Sequence, residues 1–159
     1  MPRRYASFET LLRPDPRFGS KLAAKMIHKV MWDGKKTVAQ RIFYRALDMA
    51  VTRLPGTDPV EIFTRAIENV KPHLEVRSRR VGGATYQVPR EVKKHRQQSL
   101  AVRWIVDNAR KKKGRPMAQR LAEEIVDAFN NTGASVTQKE NLHKMAEANK
   151  AYSHFSWGR

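Results

Sequence analysis

Leu74-Glu75-Val76-Arg77-Ser78-Arg79-Arg80-Val81-Gly82-Gly83-Ala84-Thr85-Tyr86-Gln87-Val88-Pro89 reads as a β-hairpin closed by a two-glycine turn. The favoured two-residue hairpin loop needs positive φ at both central positions, and Gly82-Gly83 supplies it without a steric penalty. With the turn there, Val81 faces Ala84, Arg79 faces Tyr86 and Arg77 faces Val88. One face of the ribbon then carries Arg77, Arg79 and Tyr86, and the other sets Arg80 across from Thr85. Pro89 closes the ribbon where its missing N–H does least harm. An isolated two-stranded ribbon is only marginally stable, and few of these side chains look like core. The segment 74–89 is therefore expected to be an arm projecting from a body made of other elements.

That body reads as helical. Gly19-Ser20 offers an N-cap, and Leu22, Ala23, Met26, Ile27, Val30 and Met31 follow at helical spacing up to Asp33-Gly34. A second helix starts near Thr37, turns Val38, Ile42, Phe43, Ala46, Leu47, Ala50 and Val51 inward, and ends at Leu54-Pro55-Gly56. Asp58-Pro59-Val60-Glu61 combines a capping residue, a first-turn proline and a Glu in capping-box position. It opens a third helix with Ile62, Phe63, Ala66, Ile67 and Val70 inward. After the hairpin, a fourth helix is expected from about Glu91 to Arg110 with Leu100, Ala101, Trp104, Ile105 and Ala109 as its stripe. A fifth carries Met117, Leu121, Ala122, Ile125, Ala128 and Phe129, and fades at Asn130-Asn131-Thr132-Gly133. Thr137-Gln138-Lys139-Glu140 reads as a capping box for a sixth helix that presents Leu142, Met145, Ala146 and Asn149. Trp32 and Trp104 both lie on apolar stripes and are expected in the core. The fold class is thus mainly α: about six helices with a two-stranded arm between the third and fourth. We expect one domain over 1–159, with an extended basic tail at 1–18 and an aromatic tail at 152–159.

Charge points to a partner. The formal net charge is +17, from 32 Lys and Arg against 15 Asp and Glu. Between Arg77 and Arg115 stand thirteen Lys or Arg against Glu91 and Asp107 alone, so about a quarter of the length holds most of the excess. A basic hairpin leading into a basic helix suits a ligand with many phosphates, which means a nucleic acid. Tyr86, Tyr152, Phe155 and Trp157 lie on basic segments and are candidates for stacking on bases, with folding back onto the body as the alternative for the tail.

Other chemistries find little support. The chain contains no cysteine, and its five histidines are scattered without an H-x-x-x-H pair, so no metal or other cofactor is expected. Gly34-Lys35-Lys36-Thr37 resembles the end of a phosphate loop, but Lys29 stands where that motif needs its first glycine. As a cationic loop beside a helix N-terminus it still suits a phosphate. Glu123 and Glu124 diverge on a helix, cannot act as an acid–base pair, and are expected to balance Arg120 on a solvated face. No nucleophile setting is present, so an enzyme is not expected. No apolar run approaches a membrane span, and the first residues lack an apolar signal core. A cytoplasmic protein is expected, with an organellar origin left open.

The pattern Leu22, Met26-Ile27, Gly34-Lys35-Lys36, Ile42-Phe43 and Ala46 resembles the signature of the ribosomal small-subunit protein seven family. The stretches Asn69-Val70-Lys71-Pro72, Val76 to Pro89, and His143-Lys144-Met145-Ala146-Glu147-Ala148-Asn149-Lys150-Ala151-Tyr152 resemble its bacterial form. The resemblance implies direct binding to small-subunit ribosomal RNA at a multi-helix junction of the head domain, early assembly of that domain and, in some bacteria, repression of the family's own operon. It also implies ribosomal proteins eleven, nine and thirteen as partners. Carried onto matching positions, Arg3, Arg4, Lys35, Lys36, Arg77, Arg79, Arg80, Arg90, Lys93, Lys94 and Arg96 become ribosomal RNA contacts. Lys111, Lys112, Lys113 and Arg115 join them, although that loop varies in the family. Gly82, Gly83, Ala84, Tyr86, Tyr152 and Trp157 become the residues near the exit-site transfer RNA and the messenger path. The competing reading is a DNA-architectural protein that inserts its basic β-arm into a minor groove. Such arms usually carry an apolar or proline wedge at the tip, which Gly82-Gly83 does not offer. Nothing marks a dimer seam, so no homo-oligomer is expected.

Overall fold

The computed structural model describes residues 12–156. Six helices, α1 (Lys21–Val30), α2 (Lys36–Arg53), α3 (Pro59–Val70), α4 (Lys94–Lys111), α5 (Met117–Phe129) and α6 (Ala134–Ala148), form the body. Strands β1 (Leu74–Val81) and β2 (Ala84–Glu91) make an antiparallel hairpin between α3 and α4, and a 3-10 segment, Lys150–Ser156, follows α6. The mainly α architecture with one arm is the one expected from the sequence.

Local sequence explains most of the elements. Ser20 caps α1 by accepting from the N–H groups of Leu22 and Ala23, at 3.2 and 3.4 Å. Asp58 caps α3 through the N–H of Val60 at 3.0 Å, with Pro59 at the first turn. The apolar stripes then meet around α5, which packs against α2, α3 and α4. Phe43, Leu47, Ile62, Phe63, Ile67, Ile105, Leu121 and Ile125 are fully buried there. The rings of Phe43 and Phe63 meet edge to face, with centroids 5.9 Å apart at 70°. Phe18 joins them at 6.4 and 6.2 Å. Edge-to-face pairs contribute ~0.5–1.5 kcal/mol beyond their buried area.

Residues 12–18, expected as part of a tail, are built into the body instead. Asp15 is buried and accepts from the N–H groups of Arg17 and Phe18 and from the Tyr44 hydroxyl at 2.7 Å. Burial first, then this bond, pushes the Tyr44 phenol up to about 12. Arg17 adds a bidentate pair with Asp48 and lies over the rings of Phe18 and Tyr44. Residues 1–11 lie outside the described residues, and with them Arg3 and Arg4; Trp157 lies outside them at the other end.

Five boundaries and burials differ from expectation. Helix α1 ends at Val30 and Met31 turns extended, so Trp32 leaves the stripe and is 68% exposed rather than core. Trp104, in contrast, packs half-buried against the core. Val38 sits at the open start of α2 and is 48% exposed. Strand β2 runs two residues past Pro89, pairing Glu91 with Leu74, so α4 begins at Lys94 and not near Glu91. The sixth helix starts at Ala134 without a Thr137 capping box. Thr137 lies inside it, donating its hydroxyl to the Gly133 carbonyl, and Met145, expected on its inner face, is 53% exposed.

What starts α6 is Glu124. It was expected on a solvated face, but it is wholly buried and accepts from the N–H of Ser135 at 3.0 Å and its hydroxyl at 2.6 Å. A carboxylate from α5 thus caps α6, which no sequence-local pattern reveals. Phe43→Ala should cost about 3–5 kcal/mol of stability in urea unfolding, because the ring is fully enclosed. A loss under ~1 kcal/mol would show that this aromatic cluster is not the centre of the core.

Candidate nucleic-acid interface

The hairpin has the register expected from its turn: Val81 opposite Ala84, Arg79 opposite Tyr86, Arg77 opposite Val88. Gly82 and Gly83 take φ of 57° and 89°, which side-chain-bearing residues rarely adopt. Alternation places Glu75, Arg77, Arg79, Tyr86, Val88 and Arg90 on one face. That face is less free than the sequence suggests. Val88 and Glu75 are buried at the base of the ribbon. Tyr86 is half-buried under Tyr152 and Phe155, with ring centroids 5.1 and 5.2 Å away. Arg79 donates to the Phe155 carbonyl. Of the two readings of the tail, folding back is the one adopted for Phe155, onto the hairpin. Only the outer end projects, where Arg80, Gly82, Gly83, Ala84 and Thr85 are exposed.

Glu75 sets the angle between arm and body. Its carboxylate accepts from Arg77 Nε at 2.8 Å and from Arg96 Nε at 2.6 Å, tying β1 to the first turn of α4. A buried carboxylate needs such partners. Both arginines use Nε for this and remain about half exposed. Arg90, Lys93 and Lys94 are exposed beside them, so the hairpin base and the start of α4 form one continuous cationic surface.

A second cationic cluster gathers at the other end of α4, ~27 Å away for a helix of eighteen residues. Lys35 and Lys36 are exposed at the α1–α2 loop, and Lys35 lies 3.9 Å from Asp33. Arg110 reaches across to the end of α1. Its Nη2 donates to the carbonyls of Lys29 at 3.0 Å and Val30 at 3.3 Å, satisfying groups that a helix C-terminus leaves open. Its guanidinium carbon lies 5.1 Å from the Trp32 ring centroid. Arg120 donates to the carbonyls of Arg110 and Lys112. Neither Arg110, Arg120 nor Trp32 stood among the expected interface residues; their roles depend on carbonyls and rings far away in sequence.

The loop candidates divide. Lys113 is exposed, while Lys111 donates to Asn108 Oδ1 at 3.3 Å and Arg115 pairs with Glu123. Lys112 lies in ion-pair contact with Glu124 Oε2 at 3.0 Å, off the hydrogen-bonding direction, and with Asp127 at 3.6 Å. It is thereby a structural cation, committed to the carboxylate that caps α6. On the far side of the hairpin base, a groove of about 830 Å³ lies between α6, the 3-10 segment and the strands. At its edge His143 Nε2 accepts from the His73 N–H at 3.1 Å. Burial, then His73 and Lys139, holds the His143 imidazole below its ordinary value. Among the described residues, no group of three His, Asp or Glu could hold a metal ion.

A family model described as "Ribosomal protein S7p/S5e" matches residues 2–150. The small ribosomal subunit protein uS7 of Thermotoga maritima is 57% identical over 155 residues, covering 98% of this chain and 99% of the relative. That of Fervidobacterium nodosum is 54% identical over the same coverage. That of a Nitratiruptor species is 57% identical over 157 residues, covering 99% of this chain and 100% of the relative.

Two predictions follow from the geometry. Lys112→Ala should cost about 1–3 kcal/mol in urea unfolding, since Glu124 keeps its Ser135 bonds but loses its counter-charge, whereas Lys113→Ala should stay within ~0.5 kcal/mol. Equal small effects would remove Lys112 from the structural role. The fold favours the neutral His143 imidazole, so its contribution is complete above the unfolded pKa of ~6.5 and is lost as pH falls through its lower folded value. His143→Phe should flatten that acid limb of the stability curve as pH falls below about 6.5, and an unchanged limb would refute the link.

Proposed function

The chain belongs to the ribosomal protein S7p/S5e family, whose members are structural proteins of the ribosome and not enzymes, and from that premise we propose that it holds a ribosomal RNA junction in the small subunit. The observation that carries the reading is the pair of cationic surfaces at the two ends of α4, on a chain matched over nearly its whole length by small-subunit relatives. A junction crowds phosphates that repel one another. A rigid body presenting two cationic sites about one α4 length apart fixes the angle between RNA arms while releasing condensed counterions. RNA's deep major groove admits side chains poorly, so recognition rests on junction shape, 2′-hydroxyls and splayed bases.

Arg77, Arg80, Arg90, Lys93, Lys94 and Arg96 form the first contact surface, and Lys35, Lys36, Lys111 and Lys113 the second. Arg79 and Arg115 serve partly as internal ties. The exposed tip, Gly82-Gly83-Ala84, is small enough to lie against the exit-site transfer RNA and messenger path. Tyr86 and Tyr152 reach that path only if the tail lifts. Contacts with ribosomal proteins eleven, nine and thirteen, early assembly of the head domain and repression of its own message complete the proposal. The ribosome is the location it implies, in the cytoplasm.

Filter binding across a salt series tests it. Affinity for the head-domain ribosomal RNA junction should exceed that for duplex DNA of equal charge by about a hundredfold, or ~2.7 kcal/mol. With six to ten phosphates neutralised, log K should fall against log salt with a slope of roughly −4 to −7. The triple change Arg77→Ala, Arg79→Ala and Arg80→Ala should weaken binding and flatten that slope. Equal affinity for junction and duplex would reduce the surface to a general polyanion binder.

A further inference from the structure

The residues after α6 lie across the arm, and their own backbone bonds do little to order them. Lys150–Ser156 is a 3-10 run of seven residues. Such runs seldom exceed roughly three or four residues, because their hydrogen bonds are poorly aligned. Asn149 marks the hinge: its N–H and its Nδ2 both donate to the Met145 carbonyl, at 3.2 and 2.8 Å, where the helix ends. Past that point the hairpin supplies the contacts. Tyr152 and Phe155 close over Tyr86, with ring centroids 5.1 and 5.2 Å away, and the Phe155 carbonyl accepts from Arg79. Arg79 and Tyr86 are half-buried, while Arg77 and Arg80 on the same strand as Arg79 stay exposed.

Two features distinguish this cover from a simple brace. The first is its chemistry. An unstacked nucleobase offers a flat ring to a tyrosine and a keto oxygen to a guanidinium. Phe155 offers the same pair, its ring to Tyr86 and its main-chain carbonyl to Arg79. The second is how little holds it. Among the described residues, none of the buried core comes from this segment, and Tyr152 is 37% exposed. A segment with few buried apolar contacts opens at far lower free energy than the fold as a whole. Lifting it about Asn149 would uncover Arg79 and Tyr86 and leave the helical body unaltered.

We propose that residues 150–156 are an autoinhibitory strap, which occupies Arg79 and Tyr86 in the free chain and yields them to single-stranded RNA. The strap competes with the RNA for one face of the arm. Closure in roughly nine molecules of ten would weaken the apparent affinity of that face about tenfold. A chain of net charge +17 attracts any polyanion. A strap that yields only to a ring and an acceptor together withholds this face from ligands that offer charge alone. The proposal rests on the RNA-binding reading above and adds to it a control on one face of the arm.

The test uses the full chain and a short fluorescein-labelled oligouridine, followed by anisotropy. Replacing both strap rings, Tyr152→Ser with Phe155→Ser, should tighten binding by about three- to tenfold. Adding Tyr86→Ser should remove that gain, because the uncovered ring is what the base stacks on. Circular dichroism should show the body melting as in the unaltered chain. A second measurement needs no variant: saturating oligouridine should speed amide exchange across 150–156 in the unaltered chain. Unchanged exchange overturns the proposal whatever the variants do. So does equal or weaker binding by a double variant whose β1 and β2 amides stay protected, weaker binding making the strap rings themselves the RNA contact. A gain that survives Tyr86→Ser also overturns it, by placing the base elsewhere. If the unaltered chain still prefers junction RNA to duplex DNA in these cases, only the strap assignment fails.

Discussion

In a chain of net charge +17, a carboxylate that leaves water must bring partners with it, and three of them organise this molecule. Asp15 gathers two N–H groups and the Tyr44 hydroxyl, which docks residues 12–18 on α2. Glu75 gathers Arg77 and Arg96, which sets the hairpin against α4. Glu124 gathers Ser135 and Lys112, which starts α6 and anchors the loop before α5. At each site the carboxylate links segments that are distant in the chain or belong to different elements. Removing Glu75 would leave Arg77 and Arg96 facing one another without a counter-charge.

The apolar core carries the remainder. Helix α5 lies at its centre, and the edge-to-face rings of Phe18, Phe43 and Phe63 join the N-terminal approach to α2 and α3. Because the core spans the middle of α4, the two ends of that helix stand in a fixed relation. Cationic side chains at the ends are thereby held in a geometry set before any ligand arrives, which would lower the entropy lost on association. Nε bonds to Glu75 hold Arg77 and Arg96 in place while leaving both side chains half exposed. That division of labour suits arginine, whose guanidinium can pair on two edges, better than lysine.

The hairpin follows the same logic. One face of it is covered by the 3-10 segment, through Tyr86, Tyr152, Phe155 and the Arg79 bond to the Phe155 carbonyl. A two-stranded ribbon without such cover would be marginal in water. The tip beyond this cover is exposed, and there two glycines at positive φ turn the chain.

Local rules were enough for much of this. The Gly82-Gly83 turn dictated every cross-strand pair from Val81–Ala84 to Arg77–Val88, since a turn type and a period of two leave no freedom of register. The third helix was legible residue by residue, because Asp58, Pro59 and a 3.6-residue stripe act within one element. The Arg77–Arg115 charge excess likewise announced a polyanion. What stayed hidden depends on partners far along the chain. Glu75 meets Arg96 across 21 residues, Glu124 meets Ser135 across 11, and Arg110 reaches Lys29 across 81. Those contacts turned Glu124 from a surface acid into a cap, withdrew Lys112 from the free cations and released Trp32 from the core. Sequence determines what an element is, through forces acting over one turn or one pleat. Which charges remain free at its surface was decided only by tertiary structure, because a charge is neutralised by whatever packing brings within about 3 Å of it.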